Sequence, residues 1–403
     1  MDRLSNRTIY VESYGCTHNH CDTQKLIALA EAQGCRQVPA DEAEVFVLNT
    51  CTVVAKTERQ MIRRLKAFRD REIVVTGCMP VVQREAIREV CDAYFILPEE
   101  LQRRSGRAGT MIGPGIGAVQ VGSGCLGSCA YCITRCARGR LRSFPEDLIL
   151  AEIERLAAEG ACEIQLTGQD VSAYGMDGSS TLADLLHRIG EIPGGFRVRV
   201  GMMNPSSAYR QADDLAEAFS QEKIFSFIHL PVQSGSDRVL AAMRRGYTVA
   251  DFAGLVAAFR DRMPGVRVST DLIAGFPTET GEDFRRTLDL LTAIRPTKVN
   301  ITRYSPRPGT AAAGWGDMPD WIKKERSRAL TRAANAIYDD HNCTFIGTEL
   351  EVLVTEQRMA GSAVARDQSY TTIVIGETIS IGTRLRVRIT GHRRHYLLGE
   401  PVR

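Results

Sequence analysis

Six cysteines hold the chemistry open to this sequence. Three stand together in Gly124-Cys125-Leu126-Gly127-Ser128-Cys129-Ala130-Tyr131-Cys132, a C-x3-C-x2-C spacing with an aromatic before the last thiol. Thiolates are soft ligands suited to iron–sulfur clusters and to zinc. Three protein ligands leave the fourth position of a four-iron cluster open to something that is not protein. Taken alone, Cys125, Cys129 and Cys132 allow a cluster, a structural zinc site or an incidental grouping. The other three, Cys16, Cys51 and Cys78, are far apart in sequence, yet each lies just past the carboxyl end of an expected strand. In an open parallel sheet those ends share one edge, where ligands collect. A second three-cysteine site follows, set against the alternative of three separate free thiols, since buried free Cys is common. Cys21, Cys35 and Cys91 do not share the strand-end position and read as packing or surface residues.

The chain has 403 residues and a net charge of +3, so several domains are expected and global charge says little about nucleic acid. The start MDRLSNRTIY lacks the apolar core of a secretory signal, and no apolar run reaches the length of a membrane span. These readings predict a cytoplasmic protein with no membrane partner. In a reducing cytosol the 12 cysteines serve metal or redox chemistry rather than disulfides.

Three kinds of element must position the thiols. Residues 7–13, 45–49 and 72–76 read as strands alternating with helices at 23–32 and 56–69, the pattern of a parallel sheet covered by helices. Residues 100–118, with Arg103, Arg104, Arg107 and glycines around Pro114, read as a linker of little regular structure. From about residue 118, strands before the Cys loop and near 162–167, 196–201, 225–230, 266–271 and 298–303 alternate with helices. That is an open, partial TIM-like (β/α)6 barrel, short of a closed one. Its ligand face is the carboxyl ends of the strands, where Gln169 and Asp170, Asn204, His229 and Gln233, Asp271 and Tyr304 fall. Asp170 and Asp271 have an alternative as helix caps. A polar helix at 321–341 reads as a solvent-facing connector. The last segment is a small β-barrel: strands at 348–356, 369–376 and 383–390, with Arg384, Arg386 and Arg388 alternating onto one face and Arg393 and Arg394 in the following turn. A basic face on a small barrel is a common RNA-binding solution.

The motifs SYGCTHNHCD (13–22), LNTCTV (48–53), TGCMP (76–80), GCLGSCAYC (124–132), ARGRLRS (137–143), LTGQDVSAYG (166–175), VGMMNP (200–205), HLPVQSGSD (229–237), DLIAGFPTET (271–280) and RYSPRPGT (303–310) resemble those of the radical SAM methylthiotransferases. Within that family the chain is most similar to the archaeal and eukaryotic-type enzymes that modify threonylcarbamoyladenosine in tRNA. The resemblance implies an N-terminal methylthiotransferase domain at 1–105, a linker at 106–117, a radical SAM core at 118–320, a helical connector at 321–342 and a TRAM RNA-binding domain at 343–403. It implies two 4Fe-4S clusters. Cys125, Cys129 and Cys132 match the ligands of the one that binds S-adenosylmethionine (SAM), and Cys16, Cys51 and Cys78 match the ligands of an auxiliary cluster. By resemblance and strand-end position together, Gln169, Asp170, Asn204, Gln233, Asp271 and Tyr304 line the SAM cavity.

Arg138 and Arg140 are placed to neutralise cluster or substrate charge, with a solvated basic loop as the alternative. Two departures stand out, Cys21 beside Asp22 and Cys136 after the triad; neither is needed as a ligand, because each three-Cys pattern is already complete. The implied reaction puts a methylthio group on C2 of N6-threonylcarbamoyladenosine at position 37, a carbon with no leaving group and no acidic proton. Acid–base catalysis does not serve there, so no protein acid or base is assigned and the hard chemistry is the cofactor's. One SAM would donate a methyl group to sulfur, and a second would supply a 5'-deoxyadenosyl radical. The partners implied are tRNA, held by Arg384, Arg386, Arg388, Arg393 and Arg394, a low-potential electron donor and a sulfur donor, with no DNA. Competing readings are the same chemistry on isopentenyladenosine in tRNA or on a ribosomal protein residue, and a non-enzymatic iron–sulfur protein that binds RNA.

Overall fold

The computed structural model describes residues 2–402. At the N-terminus the strands Arg36–Gln37, Thr8–Ser13, Val45–Thr50, Glu72–Gly77 and Tyr94–Phe95 lie side by side in that order, all parallel. Val45–Thr50 is buried along its whole length, as its apolar run predicts for a central parallel strand. Its register pairs Thr50 with Gly77, so the chain leaves both strands at one edge. Gly77 is required there: its φ is +88°, and a Cβ would lie 2.3 Å from both the Asn49 side chain and the Thr50 carbonyl. That close approach lets Cys78 N–H donate to Thr50 O at 2.9 Å.

The first helix runs Thr17–Glu31 with Cys16 at its N-cap, six residues earlier than the expected start at Thr23. Its opening turns read as loop because they are polar. His18, Asn19, Asp22 and Lys25 are all buried, and two of the side chains that meet them, Gln120 and Arg138, lie in the next domain, where no local pattern shows them. Residues 100–118 are likewise not an irregular linker. The helix Pro98–Ser105 is followed by the strands Gly109–Gly113 and Ile116–Gln120, an antiparallel pair. Their glycines serve packing: a Cβ at Gly109 or Gly117 would come within 3.1 Å of Leu156 on the helix Glu146–Ala158.

The middle domain is a partial barrel, as expected. The parallel strands Ile116–Gln120, Glu163–Thr167 and Arg197–Arg199 form one run, and Phe227–His229, Arg267–Ala274 and Lys298–Arg303 form the next. Between the two runs lie the single bridges Val198 to Ile224 and Met202 to His229. The helix Asp320–Cys343 is not a solvent-facing connector. Leu330, Ala334, Ile337 and Tyr338 are buried, an i, i+4, i+7, i+8 stripe, and Tyr338 accepts the Val299 N–H at 2.6 Å. It covers the last barrel strand.

The C-terminal domain is a closed barrel of Glu349–Glu356, Ala363–Arg366, Thr372–Ile375, Tyr396–Pro401 and Arg384–Arg393. Its loop at 367–371 docks at the amino ends of the middle strands, opposite the ligand face. Ser226 N–H donates to Gln368 O at 2.8 Å, and Gln368 Nε2 donates to Ile224 O at 2.7 Å, so the loop closes the seam between the two runs. Tyr370, at φ +62°, donates to Glu163 Oε1 at 2.5 Å and stacks among Phe225, Phe227, Arg199 and Arg366. Truncating a packed, half-buried aromatic removes those contacts. Tyr370→Ala is expected to cost about 3 kcal/mol in denaturant unfolding and to open residues 344–371 to protease. Tyr370→Phe keeps the ring and should lose less. Equal losses in the two variants would assign the docking to the hydroxyl alone.

Candidate functional site

The Cys loop is gripped from several sides. Gln169 Oε1 accepts the Gly124 N–H at 2.7 Å. Ala130 N–H donates to Met243 O at 3.0 Å, and Ala312 N–H donates to Ala130 O at 2.8 Å. Gly127 N–H donates to Cys125 Sγ at 3.2 Å. A Cβ at Gly127 would lie 3.4 Å from Cys125 Sγ and 3.7 Å from Cys129 Sγ, so both sulfurs turn toward the same bare backbone. Arg245, buried, donates to Cys129 Sγ at 3.2 Å and to Asn204 Oδ1 and Pro231 O at 3.0 Å each. Burial pushes the Cys125 thiol up to about 11 and raises that of Cys132. Thiolate is the ligating form, so loading a cluster here releases protons and offsets that desolvation.

Cys16, Cys51 and Cys78 each follow a strand at the same edge of the parallel sheet. A Cβ at Gly15, whose φ is +115°, would meet the Cys51 Cβ at 3.0 Å. Asn19 ties the edge: its Nδ2 donates to Tyr14 O at 3.0 Å and Thr50 O at 2.9 Å, and Cys78 Sγ lies 3.9 Å from its Oδ1. Burial raises the Cys78 thiol to about 11. Arg138 opposes that shift, and Cys51 and Cys16 add to it. Among the described residues, no three His, Cys, Asp or Glu side chains close to the spacing of a single metal ion; a four-iron cube is a larger body than one ion. The three soft donors of the Cys loop, with Arg245 donating to Cys129 Sγ, fit a cluster.

Arg138 joins the two sets. It ends the short helix Thr134–Arg138 that follows the Cys loop, and it crosses to the N-terminal domain. There it pairs with Asp22 at 2.7 Å and donates to Asn19 Oδ1 at 2.7 Å. Gln120 Nε2 donates to the other Asp22 oxygen at 2.8 Å. Arg307 makes a second crossing, paired with Glu58. Cys21 is buried near the Ala118 carbonyl, and Cys136 is exposed. Arg140 is exposed.

A cavity of about 240 Å³ opens between these domains. Val53, Val54 and Ala55, just past Cys51, form one wall; Tyr131 and Cys132 form another; Gln233, Asp271, Asn300, Arg303 and Tyr304 come from the strand ends. Gln233 sits at φ +72° and exchanges backbone bonds with Asp271 and Ile273, a costly conformation for a non-glycine residue. Asp271 accepts from His229 Nε2 at 2.9 Å and Asn300 Nδ2 at 2.7 Å. Bonds to His229 and the charges nearby outweigh burial and hold its carboxyl below the usual range. Tyr304 presents its ring to the cavity while its hydroxyl donates to Ala312 O at 2.9 Å.

The six expected contact residues therefore divide. Gln233, Asp271 and Tyr304 line the cavity. Gln169, Asp170 and Asn204 stand behind the Cys loop: Asp170 accepts from Asn204 N–H at 2.9 Å, Ser172 Oγ at 2.7 Å and Ser207 Oγ at 2.6 Å. Sequence reasoning missed Arg245, which sits in the loop after a short helix and carries no motif of its own.

On the C-terminal barrel, Arg386 and Arg388 are exposed and share Glu349 at 3.4 and 2.8 Å. Arg384 instead donates to Gly195 O at 2.9 Å, clasping the middle domain. Arg393 and Arg394 flank the turn whose carbonyls Asn342 Nδ2 binds at 3.1 and 3.2 Å.

The family profile of the radical SAM superfamily matches residues 119–291, that of Uncharacterized protein family UPF0004 matches 8–97, and that of the TRAM domain matches 344–402. A protein of Archaeoglobus fulgidus named as a probable threonylcarbamoyladenosine tRNA methylthiotransferase is 41% identical, over 97% of this chain and 98% of its own. This chain belongs to the threonylcarbamoyladenosine tRNA methylthiotransferase family. The human member is 31% identical over 98% of this chain and 74% of its own length. Among solved structures, the radical S-adenosylmethionine methyltransferase TsrM from Kitasatospora setae aligns at a TM-score of 0.54 and 16% identity, over 77% of this chain and 75% of that one, a likeness of fold. The radical SAM fold implies SAM and a 4Fe-4S cluster as cofactors. No described helix is long and apolar enough to cross a membrane.

Asp170→Ala would strand the Asn204 N–H and two serine hydroxyls in the interior, which costs about 1–3 kcal/mol. The expected result is a lower unfolding midpoint, read by circular dichroism. An unchanged midpoint with lost SAM binding would put the carboxylate on the ligand instead.

Proposed function

We propose that this chain is a radical SAM tRNA methylthiotransferase that converts N6-threonylcarbamoyladenosine at position 37 of tRNA to its 2-methylthio derivative. The observation that carries this reading is the shared cavity: Cys132 of one thiol set borders it, and so do Val53–Ala55, just past Cys51 of the other. Cys125, Cys129 and Cys132 would hold the cluster that binds SAM, and Cys16, Cys51 and Cys78 a second, auxiliary cluster. When bound, these groups supply the one-electron chemistry that a carbon without a leaving group or acidic proton demands.

The side chains do the rest. Asp271, kept anionic by His229 and Asn300, presents an acceptor to the cavity, and Gln233 adds an amide. Gln169, Asp170, Asn204 and Arg245 position the thiols through the loop. Val53 and Val54 add an apolar wall to the cavity that Cys132 borders. Arg386, Arg388, Arg393 and Arg394 would hold the phosphate backbone, which gives salt-dependent affinity without reading sequence. Arg384 serves the domain contact first. The electron donor and the sulfur donor are separate partners.

Nucleoside mass spectrometry of tRNA from a strain lacking this chain tests the reading. The expected result is loss of the 2-methylthio nucleoside and accumulation of N6-threonylcarbamoyladenosine, restored by the intact chain and not by Cys129→Ala. Persistence of the methylthio nucleoside in the deletion strain overturns it.

A further inference from the structure

The cavity carries opposite charges at two depths. The register of its last two strands pairs Asp271 with Asn300 and Ala274 with Arg303. Three residues of strand separate those levels, roughly 10 Å, so Asp271 lies deep and Arg303 lies toward the mouth. The inner carboxylate is already held, by His229 Nε2 at 2.9 Å and Asn300 Nδ2 at 2.7 Å. Two arginines line the cavity, Arg303 and Arg307. Arg307 is buried, paired with Glu58 across the domain boundary and bonded to Ser305 Oγ at 3.2 Å. Arg303 is held only loosely. Its side chain is 46% exposed, and the carboxylate it meets, that of Asp320, stands 3.3 Å away with 75% of its own side chain in solvent. A solvated pair of that kind contributes little. Asp320 also has a second stabiliser, because it sits in the first turn of the helix Asp320–Cys343. Arg303 is therefore the lining cation that an incoming anion can recruit.

The substituents weighed for the target base differ in charge. Threonylcarbamoyl ends in an α-carboxylate, ionised at neutral pH; isopentenyl is uncharged hydrocarbon. The apolar wall of Val53 and Val54 suits either, but only the acid uses a guanidinium at the mouth, whose parallel donors match a carboxylate. We propose that Arg303 is a specificity-determining residue: it takes the carboxylate of the threonylcarbamoyl group and so selects that nucleoside over those with uncharged N6 substituents. The inference rests on the proposed substrate. This placement also keeps the carboxylate away from Asp271, whose like charge repels it.

The test measures binding of synthetic anticodon stem-loops to the anaerobically reconstituted full chain, by fluorescence anisotropy at fixed salt. Position 37 carries N6-threonylcarbamoyladenosine, its methyl ester, which removes the charge, or isopentenyladenosine. The wild-type chain should bind the acid more tightly than the ester by about tenfold, the worth of one charge-assisted bond. Arg303→Gln should bring that ratio close to one, and Arg303→Lys should keep part of it. A ratio in Arg303→Gln equal to that of the wild type overturns the inference while leaving the proposed substrate in place. Equal weakening of acid and ester in both variants also overturns it, by making the residue structural. SAM has a carboxylate too, so its binding is measured in parallel by equilibrium dialysis. Weaker SAM binding in Arg303→Gln with the acid-to-ester ratio intact would give the arginine to the cofactor and overturn the inference. If the wild-type chain prefers the isopentenyladenosine stem-loop to the acid, the proposed substrate fails first, and the inference with it.

Discussion

A buried ion pair between two domains organises this molecule. Arg138 leaves the loop that carries Cys125, Cys129 and Cys132 and reaches Asp22 on the first helix of the N-terminal domain. Breaking such a pair by removing one partner is strongly destabilising, because it leaves a charge in the interior. With Arg307 and Glu58, the pair ties the middle domain to the N-terminal one. Asn19 extends the constraint, since it binds Arg138 on one side and the strand-end carbonyls of Tyr14 and Thr50 on the other. The cavity exists because these contacts hold the edge of a parallel sheet over the mouth of a partial barrel.

The barrel is built to be open on that side and shut on the other. Its two runs of strands meet at single bridges, and Gln368 and Tyr370 of the C-terminal domain close the seam at the amino ends. The C-terminal barrel thus completes the core beneath the site, in addition to presenting Arg386 and Arg388. The last helix seals the remaining side through Leu330, Ala334, Ile337 and Tyr338. Rigid docking at both ends leaves the carboxyl ends of the strands as the face where Gln233 and Asp271 project.

The strands that carry the cysteines were legible because their information is local. VFVLNT before Cys51 and EIVVTG before Cys78 each read as a buried strand, and the topology of a parallel sheet does the rest. The six strands of the middle domain were legible for the same reason. What failed was burial of polar residues. THNHCD reads as loop, yet it is the start of a helix whose Asn19 and Asp22 side chains and His18 carbonyl meet partners about a hundred residues away, Arg138 and Gln120. Glycines at 109 and 117 read as linker because close packing on Leu156 has no local pattern. Asp170 reads as a ligand from its strand-end position, while its oxygens are held by Ser172, Ser207 and Asn204. Strand-end position finds the ligand face of the barrel without separating residues that point into the cavity from those that brace its floor.

The central claim is that the two thiol sets hold clusters close enough to share one cavity. The most direct measurement is electron paramagnetic resonance of the fully reduced, reconstituted chain. Two reduced clusters facing one cavity should give a spectrum split by their magnetic interaction, and the splitting should vanish when either Cys78 or Cys129 is replaced by alanine. Two unsplit signals that simply add, each untouched by loss of the other, would contradict the account.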